Sequence, residues 1–353
     1  MRQNVVCLFT SREYYPLAYV LASRLAASPA RTYDIIIFTE ATDLPAPPGV
    51  SLQEFPLADA VPATAASSAR IPRLAYYRLF MAEALPERYK RAVYLDGDIT
   101  LKGDLEALFA IDLKGHPLAG VADCGFVKRR DTVAQAKWVE YLRSIHIDPE
   151  RLYINAGVLL ADLAAWRRMA VSTKASDYLR EVGGRLTGMD QDTLNFVFSG
   201  DVLELSPRWN FQALYFGCGL EEALHPVVYH HLDTVKPWHD LIYPTNEFSA
   251  EYAAMFANSP WPDFVRNARE PWHRKRALKW RARRAFRFLP SVAKRFKAED
   301  AKRRDWRALA LPNIAAKLAN GAYGDINPAE SARLAASVEA LMAAGAHPQI
   351  GIR

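Results

Sequence analysis

No window of the chain approaches the ~18 uninterrupted apolar residues of a membrane-spanning helix. The apolar run near Met1 is also too short for the core of a secretory signal, so the protein is expected to be made and kept in the cytoplasm. Cysteine is nearly absent. Cys7, Cys124 and Cys218 are odd in number, far apart and without metal-ligand spacing, so they read as reduced thiols in the core or on the surface. No Gly-x-Gly-x-x-Gly follows the first apolar strand, which disfavours a nicotinamide or flavin site. What 353 residues, half of them hydrophobic, do allow is one large α/β domain with an appendage.

The formal charge of +6 is unevenly spread. Between Arg266 and Arg307 stand seventeen Lys/Arg against four Asp/Glu, leaving 28 basic and 35 acidic residues elsewhere. The basic character therefore belongs to one segment, and the expected division is 1–265, a catalytic domain, 266–307, a basic amphipathic helical segment, and 308–353, a small helical appendage. Within the basic segment Leu278, Ala282, Ala285, Leu289, Val292 and Phe296 recur at steps of four and three among Lys and Arg. Pro290 is expected to kink or divide this helix. Such a face in 272–304 suits an anionic membrane surface, each Lys or Arg near it contributing about 1 kcal/mol, or a seam buried against protein. No recognition module surrounds it, so no nucleic acid is expected.

Val5–Phe9, a Pro16-started amphipathic stretch through Leu25, and Asp34–Phe38 read as strand, helix, strand, the opening of a Rossmann-like unit. A weak strand near Ser51–Phe55, a helix over Ile71–Leu85 ended by Pro86, and a short helix at Leu105–Phe109 follow. Further strands are expected at Pro117–Asp123, at Tyr153–Asp162 with Gly157 allowing close backbone approach, at Asp201–Leu205 and at Pro226–Tyr229. Thr187–Phe198 reads as a helix with an acidic first turn, in which Asp190 and Asp192 could simply serve the helix end. A last helix is expected from about Asn327 to Ala344.

Ala92-Val-Tyr-Leu-Asp96-Gly-Asp98 is an apolar run of strand length that ends in two carboxylates one glycine apart. Asp-Gly is a common turn dipeptide. Yet ligands of open α/β sheets bind at the carboxyl edge, and two carboxylates this close repel unless a cation joins them, for which a hard divalent metal is the natural partner.

Tyr77-Arg78-Leu79, Tyr94-Leu-Asp-Gly-Asp98, Asn155-Ala-Gly-Val-Leu-Leu160, Asp190-Gln-Asp192 with Leu194-Asn195, and His230 six residues before Lys236-Pro-Trp-His239 occur in one order over about residues 4–240. In this the chain resembles glycosyltransferase family 8, the retaining nucleotide-sugar transferases that include bacterial lipopolysaccharide galactosyl- and glucosyltransferases. The resemblance implies a Rossmann-like A-type glycosyltransferase fold with a mixed sheet, here carrying a basic helical C-terminal region. It implies that Asp96, Asp98 and His230 hold Mn²⁺ or Mg²⁺, with His231 the alternative ligand, and an imidazole beside carboxylates favours a transition ion. Lys236 would neutralise the leaving diphosphate, Arg78 would sit near the donor sugar and phosphates, and Asp123 and Asn155 would contact that sugar. Asp190 would hold sugar hydroxyls, and Gln191 would lie beneath the anomeric carbon. An amide is a poor nucleophile, so a front-side displacement competes with a covalent intermediate. Two places depart from the family's pattern: Thr10–Tyr14, where many members place an acid against the uracil, and Leu232-Asp233, where a glycine often meets the phosphate.

The implied activity is metal-dependent transfer of galactose or glucose from a UDP-sugar to a saccharide or glycolipid acceptor, with retention, in lipopolysaccharide or other surface glycolipid synthesis. The expected location is cytoplasmic, peripheral on the inner face of the membrane. The rivals are a self-glucosylating or priming transferase of the same fold and a catalytically silent sugar-binding assembly subunit.

Overall fold

The computed structural model describes residues 2–65, 73–127, 133–232, 236–239, 246–268, 278, 281, 282, 285 and 306–344. The apolar runs become strands of one seven-stranded sheet: β1 (Asn4–Phe9), β2 (Tyr33–Phe38), β3 (Ser51–Gln53), β4 (Arg91–Leu95), β6 (Leu118–Ala122), β7 (Ile154–Asp162) and β8 (Leu203–Leu205), in the order β3-β2-β1-β4-β7-β6-β8. β1 to β4 are mutually parallel, β7 runs against both β4 and β6, and β6 is parallel to β8, so the sheet is mixed. A smaller sheet, β5-β10-β9, joins β5 (Ile99–Leu101), β10 (Val228–His230) and β9 (Phe211–Gln212).

β4 and β7 read as continuous hydrophobic runs because both faces are covered: Val93, Leu95, Leu159 and Leu160 have almost no exposure. The helix Tyr15–Ala26 carries Pro16 in its first turn and buries Leu17, Val20, Leu21 and Leu25, the stripe its spacing dictates. The helix expected over Ile71–Leu85 is different in kind. Its described part is a 3₁₀ helix, Arg73–Phe80, followed by one α-turn, Met81–Ala84. Arg78 turns back on its own segment, its Nε donating to the Ala75 carbonyl (2.8 Å), an acceptor that an α-helix reserves for the backbone.

The chain forms two compact units. The first comprises Met1–Phe211, Pro226–His230 and Ala322–Asn327. Its last segment meets β8 through Gly324 N–H, which donates to the Glu204 carbonyl (2.9 Å), and through Asp325, whose carboxylate accepts from Ser206 N–H (2.7 Å) and Oγ (2.6 Å). The second unit comprises Gln212–His225, His231–Gly321 and Pro328–Arg353. It contains helices at Asn246–Ala257, Phe264–Ala268, 306–319 and Pro328–Ala343, the last agreeing with the helix expected there. Trp306 packs on Tyr215, and Ser331 Oγ donates to the Leu318 carbonyl (2.6 Å).

Of the basic seam, Leu278, Ala282 and Ala285 are helical and exposed, as is Arg281, and the remainder of 269–305, with the membrane-facing reading of 272–304, lies outside the described residues. Asp233 lies outside them as well. Among the described residues no helix is long and apolar enough to cross a membrane. All three cysteines are buried and none is in a disulfide, and burial pushes the Cys7 thiol pKa well up.

Candidate active site

β4 delivers Asp96 at its carboxyl end, where Asp96 N–H donates to the Gly157 carbonyl (2.9 Å) and ties the tip to β7. After Gly97 and Asp98 the chain leaves the large sheet as β5, which pairs antiparallel with β10 so that Ile99 faces His230. That register brings His230 to the acidic pair: its Nε2 lies 3.2 Å from Asp98 Oδ1 and 3.5 Å from Asp96 Oδ2. One donor atom from each of the three residues falls within 4.8 Å of the others. The three expected metal ligands thus converge.

The site has the form of a cation cradle. His230 is 1% exposed, and its Nε2 is buried without a hydrogen-bond partner among the described residues. A buried polar atom in that state is costly unless something else is meant to meet it. Gly157 leaves the needed room, since a Cβ built there would lie 2.1 Å from His230 Cε1 and 2.9 Å from Asp96 Oδ2. Two carboxylates and one imidazole form a hard-to-borderline donor set that suits Mn²⁺ or Mg²⁺.

Arg78 backs this cluster and is nearly fully buried. Its Nη2 donates to Asp96 Oδ1 (3.1 Å), Nη1 to the Ala156 carbonyl (2.7 Å), and Nε lies 3.2 Å from Asp190 Oδ2. The guanidinium stacks 4.1 Å from the centre of the Tyr94 ring, whose hydroxyl also donates to Asp96 Oδ1. One cation therefore steadies Asp96 and Asp190 together. Burial pushes the Asp190 carboxyl up to about 6, Arg78 opposing the rise and the charge of Asp96 adding to it.

Gln191, Asn155 and Asp123 form a second cluster. Gln191 Oε1 accepts from Asn155 Nδ2 and from Ala156 N–H, both at 3.1 Å, and its Nε2 donates to Asp123 Oδ2 (3.2 Å). Asn155 Nδ2 also donates to Asp123 Oδ2 (3.1 Å). All of these residues belong to the first unit.

Lys236 belongs to the second unit, where its Nζ donates to the His231 carbonyl. His231, the alternative ligand, is enclosed edge-on by Phe216, Phe248 and Tyr252 in that unit and is not part of the metal-ligand cluster. At the departing Thr10–Tyr14 segment, Arg12 N–H donates to Glu40 (2.8 Å) and the Arg12 guanidinium pairs with Asp43. Two polar groups here were not legible as site residues. Asn210, fully buried beside His230, sits in Arg208-Trp-Asn-Phe211, which carries no motif. Asp192 looked like a helix-end acid but accepts from two tyrosines, Tyr141 and Tyr153, as well as from Gly188 N–H.

General stress protein A of Bacillus subtilis is 27% identical over 213 residues, 56% of this chain and 69% of that protein. The lipopolysaccharide 1,2-glucosyltransferase of Escherichia coli K12 is 31% identical over 205 residues, 54% of this chain and 56% of the relative. The chain thus matches little more than half the length of the lipopolysaccharide enzyme. A crystal structure of the galactosyltransferase LgtC with donor and acceptor sugar analogues superposes with a TM-score of 0.55 at 23% identity, over 70% of this chain and 94% of that one. The bifunctional glycosyltransferase WbbM gives 0.60 at 21% identity, over 76% and 52%. At such identities the likeness speaks for the fold, which is the A-type glycosyltransferase fold with its mixed sheet. The profile of glycosyl transferase family 8 matches residues 21–241, more than half of the chain and a stretch that holds every residue of both clusters. By that match the chain belongs to glycosyl transferase family 8.

Proposed function

We propose that the chain moves a hexose, galactose or glucose, from a UDP-sugar to a saccharide acceptor with retention, in lipopolysaccharide or other surface glycolipid synthesis. The acceptor would be carried at the cytoplasmic side of a membrane, whose anionic surface the basic sequence of 272–304 would attract. The observation that carries the reading is the convergence of Asp96, Asp98 and His230 at the carboxyl edge of the sheet, with His230 Nε2 buried and without a hydrogen-bond partner among the described residues. Asp96, Asp98 and His230 would hold Mn²⁺ or Mg²⁺, which when bound supplies counter-charge for a diphosphate leaving group.

The protein's own residues do the rest. Arg78 fixes Asp96 and Asp190 against each other, so the sugar-facing acid and the metal-facing acid keep one geometry. Asp123 and Asn155, joined by the hydrogen bond between them, orient the sugar. Gln191 Oε1 already accepts two N–H groups, which draws on its lone pairs and favours front-side displacement over covalent attack by the amide.

The decisive experiment is UDP release from a panel of UDP-sugars, with and without Mn²⁺ and a saccharide acceptor, for wild type and Asp98→Asn. Metal-dependent turnover of one donor is expected, reduced on the order of 10²-fold or more in the variant, because charge stabilisation of this kind acts mainly in the transition state. A folded protein that turns over no UDP-sugar would remove the reading.

The same assay carries a pH signature. Asp190, with its carboxyl near 6, loses its charge as pH falls through that value and deprives Arg78 of one partner. Turnover is expected to drop on an acid limb near pH 6, and Asp190→Asn to give a flat profile there at the wild type's low-pH level. Stability runs the other way for this group. The native carboxyl holds its proton more tightly than the unfolded chain's, whose ordinary value is 3.8, so acidification toward that value relieves its burial penalty.

A further inference from the structure

His230 Nδ1 lies 3.0 Å from Oδ1 of Asn210. An amide's oxygen and nitrogen are told apart by their neighbours, so the polarity of this contact has to come from a group with a single role. Gly157 N–H is that group. It can only donate, and it lies 3.0 Å from Asn155 Oδ1, which is thereby the acceptor. Asn155 Nδ2 is then turned to two further acceptors, Asp123 Oδ2 and Gln191 Oε1, each 3.1 Å away. Asn210 meets the same Asn155 Oδ1 at 2.9 Å and must present its Nδ2 there. Its Oδ1 is left facing His230, and the ring has to carry its hydrogen on Nδ1.

We propose that Asn210 is a positioning residue. Through this amide relay, which begins at a backbone N–H of β7, it fixes the tautomer of His230 and so sets the affinity of the site for a divalent cation. With the hydrogen on Nδ1, the Nε2 lone pair is directed toward Asp98 and Asp96, as a metal ligand requires. A ring of the opposite tautomer would point a hydrogen at the two carboxylates and could not ligate. The relay also joins the two clusters, since Asn155 holds Asp123 and Gln191 with its nitrogen and Asn210 with its oxygen. The inference rests on the metal reading of Asp96, Asp98 and His230.

Two measurements test it. In metal-free wild type labelled with ¹⁵N-histidine at pH 8.5, long-range ¹H–¹⁵N spectra report the tautomer of His230, identified as the signal missing from His230→Gln. The Nδ1–H pattern is expected, and an Nε2–H pattern overturns the relay. In a titration with Mn²⁺ alone, followed by EPR, Asn210→Leu is expected to raise Kd about 10- to 100-fold, the usual cost of losing an outer partner of a ligating histidine. An unchanged Kd in a folded Asn210→Leu overturns the proposal. Should that variant not fold, the wild-type tautomer decides alone. A wild type that binds no Mn²⁺ refutes the metal reading instead, and the tautomer still judges the relay.

Discussion

Gly157→Ala is expected to weaken Mn²⁺ binding by more than about 100-fold, exceeding the loss of an outer-shell partner, while the protein stays folded. Gly157 lies within β7, and its φ is not in the left-handed region, so alanine meets no backbone obstacle. The obstacle is the side chain itself. Its Cβ would stand 2.1 Å from His230 Cε1, 2.7 Å from His230 Nδ1 and 2.9 Å from Asp96 Oδ2, so two of the three ligands have to move apart. His230 is packed too closely to yield by rotation alone, and overpacking of this kind costs about 1–3 kcal/mol. Mn²⁺ titration by EPR, with a denaturant curve alongside, checks both halves. Near-native affinity in a folded Gly157→Ala would mean that the cradle is not where the ion binds.

Asp192→Ala is expected to cost about 3–5 kcal/mol of stability and more than tenfold in turnover, with a smaller effect on Mn²⁺ affinity than that of Gly157→Ala. Asp192 is fully buried and accepts from Tyr141 Oη (2.5 Å), Tyr153 Oη (2.6 Å) and Gly188 N–H (2.6 Å). Burial raises its carboxyl pKa, and these three donors pull against the rise. Truncation leaves all three donors without their acceptor. Tyr141 Oη in turn accepts from Thr187 N–H (2.7 Å), so the segment 187–188 loses its Gly188 N–H bond outright and keeps its Thr187 bond only to a tyrosine no longer held by Asp192. That segment holds Met189 at φ +51° and ψ −115°, a conformation that a non-glycine residue adopts only under constraint. Released, Met189 relaxes, and the helix start that carries Asp190 and Gln191 shifts with it. Urea denaturation, metal titration and UDP release on one preparation separate the effects. A stability change under about 1 kcal/mol would show that the clamp is not strained.

The strands were legible because their chemistry is local. Val5–Phe9, Asp34–Phe38 and the run into Asp96 bury both faces and carry β-branched or aromatic residues, and each lies within an observed strand or its immediate exit. The Asp96-Gly-Asp98 pair was legible for the same reason. His230 is legible only through the spacing to Lys236-Pro-Trp that it shares with a family, because what places it beside Asp96 and Asp98 is the β5–β10 register, a pairing between distant segments. Asn210 had no signal at all, since an asparagine between Trp209 and Phe211 looks like any buried turn residue until its two amide neighbours are known. Arg78 defeated the helix expectation by the same route, for its partners at Asp96 and Asp190 come from elsewhere in the chain and override local propensity. Charge composition marks surfaces, whereas packing groups segments by contact, and the two units draw on interleaved stretches that no compositional boundary traces.

Ser206 and Asp325 are separated by 119 positions, yet they are bonded within one unit. During synthesis, at about 5–20 residues per second, the β8 edge of that unit waits until the 322–327 segment has emerged from the ribosome. Until then the nascent chain displays an unfinished sheet border, the kind of surface on which chaperones act and stray strands pair. The late return of six residues therefore links completion of this sheet edge to translation past Asn327, long after β8 itself has been made.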